Sequence, residues 1–170
     1  GRFDAFAVVD GYRRVAEARG VRLPAAFARL RALAERIRVT RGPQSGVPCH
    51  NDLLNANFLD DGMVRIVDWE YAGMGDRFFD LANLSVNHEF GLAEDGLLLA
   101  AYFDAERPSD LAALPLMRFM SDFREAVWGA VLRGIAALDF AFDGYAAEQF
   151  ERKDRWAADP VCGGDRAALE

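Results

Sequence analysis

The sequence predicts an α+β fold that is predominantly α-helical, with one short β-hairpin near the middle of the chain. Apolar residues recur at helical spacing over most of the 170 residues, whereas residues 57–68 form two short apolar runs around a turn dipeptide. Hydrophobic residues make up 52% of the chain, which is enough for the core of one domain. We therefore expect residues 1–170 to form a single domain.

Two helices are predicted in the first 40 residues. The first covers about residues 4–19 and ends at Gly20, because glycine readily adopts the conformation that terminates a helix. The second covers about residues 24–39, where Pro24 suits a first helical turn. Residues 41–48 are rich in glycine, proline and serine, and so predict a loop.

The hairpin is predicted from the dipeptide Asp61-Gly62, which lies between two apolar runs and favours a two-residue turn. In that register Asp60 pairs with Met63. A longer turn would shift the register.

After the hairpin, residues 71–77 contain two glycines and predict a loop. Helical spacing then returns in four segments, at about residues 78–90, 94–103, 110–136 and 143–156. The chain as a whole is thus expected to be helical on both sides of the hairpin.

The predicted register also indicates a metal site. It places Asn57 opposite Ile66, and Asp68 on the same face of the hairpin as Ile66. Asn57 and Asp68 are then diagonal neighbours, close enough to share a ligand. A carboxylate beside an amide oxygen suits Mg²⁺, which takes few protein ligands and keeps places for phosphate and water.

The segment before the hairpin carries a catalytic-loop pattern, His50-x-Asp52-x-x-x-x-Asn57. In phosphotransferases such a loop holds an aspartate that accepts a hydroxyl proton a few ångströms from the ions that hold the phosphates. The alternative is that Asp52, Asn55 and Asn57 are ordinary turn residues. The combination of the loop, the hairpin and Asp68 favours the catalytic interpretation.

Three segments together resemble the choline/ethanolamine kinase family. That family belongs to a wider group that includes the aminoglycoside phosphotransferases and has a protein-kinase-like fold. The resemblance covers about residues 45–155. The segments are Cys49-His-Asn-Asp-Leu-Leu-Asn-Ala-Asn-Phe58, Ile66-Val-Asp-Trp-Glu-Tyr-Ala-Gly73 and Phe79-Asp-Leu-Ala-Asn83.

The resemblance implies a role for each of several site residues, with ATP as the co-substrate and Mg²⁺ as the cofactor. It implies that Asp52 is the catalytic base and that Asn57 and Asp68 are magnesium ligands. Glu70 is implied as a ligand of a second ion or as a ligand acting through water.

Two further residues are implied to be structural. His50 resembles the histidine that supports the catalytic loop, and Asp80 resembles a buried aspartate that braces the loop through its backbone amides. A buried carboxylate is retained where it is hydrogen-bonded, which agrees with an architectural role.

The chain departs from the family before His50. These kinases have an N-terminal lobe with a glycine-rich turn, a strand lysine and a partner glutamate, whereas residues 1–40 contain no lysine and predict a helical pair. We therefore expect a C-terminal lobe alone, inactive by itself, with its nucleotide lobe absent. Its catalytic and metal-binding segment is residues 45–83, and its helical acceptor-binding part is residues 84–158.

The acceptor site is predicted on the helix from residue 110. Asp122, Glu125 and Trp128 form one stripe, and acidic groups beside an indole can hold an ammonium group by charge and cation–π attraction. Asn87 is assigned to the same pocket. The family tends to have a tryptophan where this chain has Glu125, so an aminoglycoside stays open beside a choline- or ethanolamine-like acceptor. Alternatively, Trp128 belongs to the core and Glu125 pairs with an arginine.

Composition restricts the remaining partners and the compartment. The formal net charge of −7 disfavours nucleic acid, and no apolar stretch is long enough to span a membrane. Two cysteines without metal-ligand spacing and the lack of a signal peptide favour the cytoplasm. Self-association is expected through an exposed apolar cleft floor that includes Leu54, Phe58 and Ile66. A pseudokinase-like binding module without catalysis is the alternative from another functional class.

Overall fold

The computed structural model describes residues 1–103 and 108–135, which fall into two compact units. In chain order the elements are α1 (Ala5–Ala18), α2 (Phe27–Arg41), β1 (Val47–Cys49), β2 (Phe58–Asp60), β3 (Val64–Ile66), β4 (Gly73–Gly75), α3 (Arg77–Asn87), α4 (Leu92–Phe103) and α5 (Pro108–Ile135). The first unit comprises Gly1–Asp4 and Pro43–Ser121, and the second comprises Ala5–Gly42 and the chain from residue 122.

The predicted fold class is confirmed, since the described residues are mostly helical with two small two-stranded sheets. The predicted helix at 143–156 lies outside the described residues. No helix in the described part of the chain is both long and apolar enough to cross a bilayer.

One of the two sheets was not predicted. β1 pairs antiparallel with β4, with Cys49 opposite Gly73 and Val47 opposite Gly75. β4 lies within the predicted loop 71–77, and β1 begins in the predicted loop 41–48 and extends one residue beyond it. Neither strand was recognised, because each has only three residues and contains glycine or proline. Their pairing brings the chain before His50 next to the chain after Asp68.

The hairpin of β2 and β3 has a different register from the predicted one. Phe58 pairs with Ile66 and Asp60 pairs with Val64, so the turn holds three residues and the predicted pairing of Asp60 with Met63 is wrong. The Asp60 carboxylate accepts a hydrogen bond of 2.9 Å from the Gly62 backbone N–H, which stabilises the longer turn.

The observed register changes which residue lies opposite Asn57, one of the two metal-ligand candidates. Asn57 does not face Ile66; its carbonyl oxygen accepts a hydrogen bond of 3.0 Å from the N–H of Val67. Asp68 is the next residue in the chain, so the backbones of Asn57 and Asp68 remain adjacent.

Each unit has its own apolar core. In the first unit Phe79 of α3 is buried and its ring lies 5.2 Å from that of Phe3, measured between ring centroids. In the second unit Leu30 and Ile37 of α2 are buried. Phe123 of α5 is also fully buried and packs against Phe27. The first core fixes α3, and α3 in turn holds the loop that follows β1.

The loop after β1 is attached to α3 by two polar side chains one helical turn apart. The Asp80 carboxylate accepts hydrogen bonds from the backbone N–H groups of His50 (2.7 Å) and Asn51 (2.6 Å). The Asn83 side-chain oxygen accepts one from the N–H of Leu53 (2.5 Å). Three backbone groups of an irregular loop are therefore held by one helix.

The environment of Asp80 has opposing effects on its protonation. Burial raises the pKa of the Asp80 carboxyl above its ordinary value, and the hydrogen bonds from the His50 and Asn51 amides lower the pKa in part. A carboxylate held in such a place contributes to the fold only through its hydrogen bonds.

Replacing Asp80 with Asn tests this attachment. The amide keeps one acceptor oxygen, so one of the two backbone N–H groups loses its partner, and the free energy of unfolding should fall by about 2 kcal/mol. Urea unfolding of the chain measures the change. The control is Asp61→Asn in the exposed turn, where loss of the ion pair with Arg65 should cost about 0.5 kcal/mol or less. Equal stability of the two variants would contradict the attachment.

Candidate active site

The loop that carries Asp52 turns sharply after His50. His50 and Asn51 are buried, at 2% and 0% exposure, whereas Asp52 is partly exposed. Asn51 has a φ of 67°, in the left-handed region that asparagine tolerates better than most residues. The loop therefore buries the two side chains that precede Asp52 and leaves Asp52 itself partly exposed.

His50 connects the loop to the chain beyond β3. Its Nε2 lies 2.9 Å from the carbonyl oxygen of Val67. A carbonyl only accepts, so Nε2 carries the proton and donates. The imidazole ring also lies 4.7 Å from the ring of Trp69, between centroids. The histidine thus holds the residues on both sides of Asp68.

Asn57 makes a second connection between the loop and the chain that follows β3. Its side-chain Nδ2 donates a hydrogen bond of 2.9 Å to the carbonyl oxygen of Asp52, and Asn57 is 7% exposed. Its own carbonyl oxygen accepts from Val67. Because the amide nitrogen is held by Asp52, the amide oxygen is presented on the other side of the group.

Asp68 begins an irregular turn. It has φ 63° and ψ 61°, and a 3₁₀ turn follows over Trp69–Tyr71, with Asp68 and Glu70 both exposed. Among the described residues only Asn51, Asp68 and Glu89 combine a side chain with a positive φ. Backbone strain of this kind concentrates at functional sites.

The candidate ligands Asn57 and Asp68 carry an amide oxygen and a carboxylate, which are the donor types that Mg²⁺ takes. In the described ranges no group of three or more His, Cys, Asp or Glu side chains is placed to hold an ion. Mg²⁺ is commonly bound by one or two carboxylates together with substrate phosphates and water. An amide oxygen and one carboxylate therefore suffice for such an ion, and Glu70 lies two residues further on.

The end of α3 lies against the start of β2. The ring of His88 meets that of Phe58 edge to face at 4.8 Å and lies 5.9 Å from that of Phe90. Asn87, which was assigned to the acceptor pocket, is the last residue of α3 and directly precedes this aromatic cluster. The structure thus places Asn87 in the same unit as Asp52 and Asn57.

The other three predicted acceptor residues lie in the second unit, on α5. Asp122 is buried, and Glu125 accepts a hydrogen bond of 3.0 Å from the Arg124 side chain. The indole of Trp128 packs on Tyr12, with 5.1 Å between the ring centroids. Both Glu125 and Trp128 retain partial exposure.

Two asparagines in the site were not assigned a role from the sequence. Asn83 lies one helical turn after Asp80, and this spacing is the signal that both contact the same loop. Its Nδ2 donates to Ser121 Oγ at 2.9 Å, which fixes the amide orientation. Asn51 lies between His50 and Asp52, where an asparagine is indistinguishable from a turn residue by sequence alone.

Comparison with known proteins gives one family match and several relatives. Residues 3–123 match the family model described as the phosphotransferase enzyme family. Protein LicA from Haemophilus influenzae is 38% identical over 56 residues, which are 32% of this chain and 21% of LicA. Ethanolamine kinase 2 from Homo sapiens is 30% identical over 127 residues, covering 61% of this chain and 33% of the human protein.

Solved structures are similar over nearly the whole chain. A choline/ethanolamine kinase family protein from Mesorhizobium loti has a TM-score of 0.86 and 34% identity, covering 99% of this chain and 58% of that one. Choline kinase LicA from Streptococcus pneumoniae has a TM-score of 0.71 at 21% identity, covering 93% of this chain and 56% of that one, which shows a shared fold.

The chain therefore spans less than two thirds of the length of each of these relatives. The match to the family model covers well over half of the 170 residues. With its loop, hairpin and braced aspartate, the chain belongs to the phosphotransferase enzyme family.

Proposed function

We propose that the protein containing this chain transfers the γ-phosphoryl group of ATP to the hydroxyl of a small amine-bearing alcohol, with Asp52 as the base. One observation carries the proposal: Asn57 is hydrogen-bonded both to the Asp52 backbone and to the residue before Asp68. The base and the two ligand candidates thus belong to one hydrogen-bonded unit. The small-molecule kinases among the relatives support this reaction class.

In this proposal Asp52 accepts the proton of the acceptor hydroxyl as the new oxygen–phosphorus bond forms. The bond from the γ-phosphorus to the bridging oxygen breaks, and ADP leaves with that electron pair. A bound Mg²⁺ ion would neutralise the charge that develops on the phosphate oxygens. The nucleotide assignment is supported by a solved complex of LicA, a fold relative, with AMP.

Asn57 and Asp68 are the residues that would hold the ion. The amide nitrogen of Asn57 is occupied by the Asp52 carbonyl, which leaves the amide oxygen as the ligand atom. Asp68 supplies a carboxylate, and Glu70 would act on a second ion or through water. His50 and Asp80 would serve by fixing the loop rather than by touching the substrates.

For the acceptor we propose choline, ethanolamine or a related amino alcohol, held by Asp122, Glu125 and Trp128 of the second unit. The assignment of Asn87 to the acceptor stays a prediction from the sequence. Partial exposure of the Trp128 ring and of Glu125 agrees with contact to a cationic group. An aminoglycoside is the second candidate, because Glu125 favours an amine with more hydrogen-bonding groups over a quaternary ammonium. A binding module without catalysis is less favoured, since Asp52, Asn57 and Asp68 are all present.

Several parts of the sequence-based interpretation stay predictions. The first is the assignment of residues 1–40 to a helical pair, 45–83 to the catalytic and metal-binding segment and 84–158 to the acceptor-binding part. The others are the need for a separate nucleotide lobe, the inactivity of these 170 residues alone, and a cytoplasmic location. Self-association is supported by the exposure of Leu54 (36%) and Ile66 (37%). Phe58, by contrast, is partly covered by His88.

Substituting Asp52 tests the proposed base. Asp52→Asn in the native-length protein should lower kcat by about 10²- to 10⁴-fold, because the amide accepts no proton. The KM for ATP should change little. Turnover is measured with ATP and a panel of choline, ethanolamine and aminoglycosides, with Asp61→Asn as the control carboxylate in the exposed turn. A wild-type protein that phosphorylates none of the panel would refute the function, and full activity of Asp52→Asn would refute the base.

Substituting Asp68 tests the magnesium assignment. Asp68→Asn should raise the Mg²⁺ concentration needed for half-maximal activity by about 10- to 100-fold, because an anionic ligand is lost. Glu70→Gln should produce a smaller rise, since a second-ion or water-mediated ligand contributes less. Activity is titrated against Mg²⁺ at fixed free ATP. An unchanged titration curve for Asp68→Asn would remove this residue from the metal site.

Substituting Trp128 tests the acceptor pocket. Trp128→Ala should raise the acceptor KM by about tenfold through the loss of cation–π attraction, with little change in the KM for ATP. Trp128→Phe is the matched control, because it keeps an aromatic ring against Tyr12. If the alanine variant keeps wild-type acceptor kinetics, Trp128 belongs to the core of the second unit and not to the pocket.

A further inference from the structure

We propose that Asn51 is a positioning residue that ties the segment carrying Asp68 to the loop carrying Asp52. The inference rests on the proposed function for its catalytic consequence and on the geometry of Asn51 for the connection itself. Asn51 is fully buried, so its side chain acts within the protein and does not touch a substrate.

The side-chain amide of Asn51 reaches across to the turn that follows Asp68. Its Nδ2 donates a hydrogen bond of 3.0 Å to the carbonyl oxygen of Tyr71, and a longer one of 3.3 Å to that of Cys49. Tyr71 is the last residue of the 3₁₀ turn that begins after Asp68. One amide group therefore connects β1, the loop that carries Asp52 and the end of the 3₁₀ turn that follows Asp68.

This bond completes a pair of anchors around the metal-ligand candidates. Before Asp68, the carbonyl of Val67 accepts from His50 Nε2 at 2.9 Å. After Glu70, the carbonyl of Tyr71 accepts from Asn51. Asp68 and Glu70 thus lie among the three residues between Val67 and Tyr71, whose carbonyls are held by neighbouring residues of the loop that carries Asp52.

The position has little room for a different side chain. A Cβ added at Gly75 would lie 3.2 Å from Asn51 Oδ1, so β4 packs directly on the amide. The backbone N–H of Asn51 donates to Asp80 at 2.6 Å, and its φ of 67° places it in the left-handed region. Glycine would tolerate that conformation but has no amide, whereas aspartate would tolerate it but presents acceptors to two carbonyls.

The test compares Asn51→Gly and Asn51→Ala with wild type and with Asn55→Gly, which changes an exposed asparagine in the same loop. Glycine relieves the left-handed backbone and alanine strains it, but both remove the amide. In the native-length protein both should lower kcat and raise the half-activating Mg²⁺ concentration by about 10-fold or more. The acceptor KM should stay within about twofold, since substrate contacts are not removed.

A second measurement, hydrogen exchange, reports on the connection itself and does not depend on enzymatic activity. Hydrogen exchange of the Ala72 amide, which bonds to the Trp69 carbonyl, should become about tenfold faster in both Asn51 variants. In both Asn51 variants the amides of α3 should exchange as in wild type. In the Asn55→Gly variant all amides, including that of Ala72, should exchange as in wild type.

The outcomes separate the two proposals. Unchanged Ala72 exchange in both Asn51 variants refutes the connection, whether or not the protein is active. Faster Ala72 exchange together with a wild-type Mg²⁺ requirement and kcat refutes the positioning role. An effect on kcat and Mg²⁺ in the glycine variant alone assigns that effect to backbone freedom and refutes the role of the amide. A wild-type protein without turnover refutes the proposed function, while the exchange measurement still decides the connection.

Discussion

The site depends on one carboxylate, that of Asp80, and on its two hydrogen bonds to the backbone of His50 and Asn51. The bonds fix two consecutive peptide groups of an irregular loop to α3, whose own position is set by the apolar core of the first unit. With these groups fixed, the His50 ring and the Asn51 amide each reach a carbonyl beyond β3. Burial disfavours the ionised form of Asp80 and therefore raises its pKa. This cost of burying the charge offsets part of the stabilisation that the two hydrogen bonds provide.

The residue types at the site follow from an unusual backbone path. Asn51 and Asp68 both adopt left-handed conformations, which cost a residue with a side chain on the order of 1 kcal/mol or more. Asparagine and aspartate tolerate this conformation better than most residues, and under the proposed function they also supply the amide donor and the carboxylate of the site. A glycine at either position would relax the backbone and remove the functional group. The strain therefore lies where side-chain chemistry is needed.

Features that depend on local sequence patterns were predicted, whereas features that depend on contacts between distant residues were missed. Helical spacing located α1 to α5 within about three residues at their starts, and the motif from His50 to Asp68 located the candidate site. The hairpin register was wrong by one residue because the Asp60 carboxylate bonds to Gly62 and lengthens the turn. β1 and β4 were missed because a three-residue strand is defined by its partner, and Asn51 and Asn83 because they bind backbone groups far along the chain.

The contacts of the candidate catalytic residues and those of the candidate acceptor residues lie in different units. Every hydrogen bond described around Asp52, Asn57 and Asp68 joins residues within Pro43–Ser121, the main segment of the first unit. Asp122, Glu125 and Trp128 belong to the second unit, where Trp128 packs on Tyr12 and Glu125 pairs with Arg124. Under the proposed function, a substitution at Glu125 changes the charge offered to an amine and breaks none of the bonds that place the base. Phosphoryl transfer and acceptor recognition are then separable, because different cores support them.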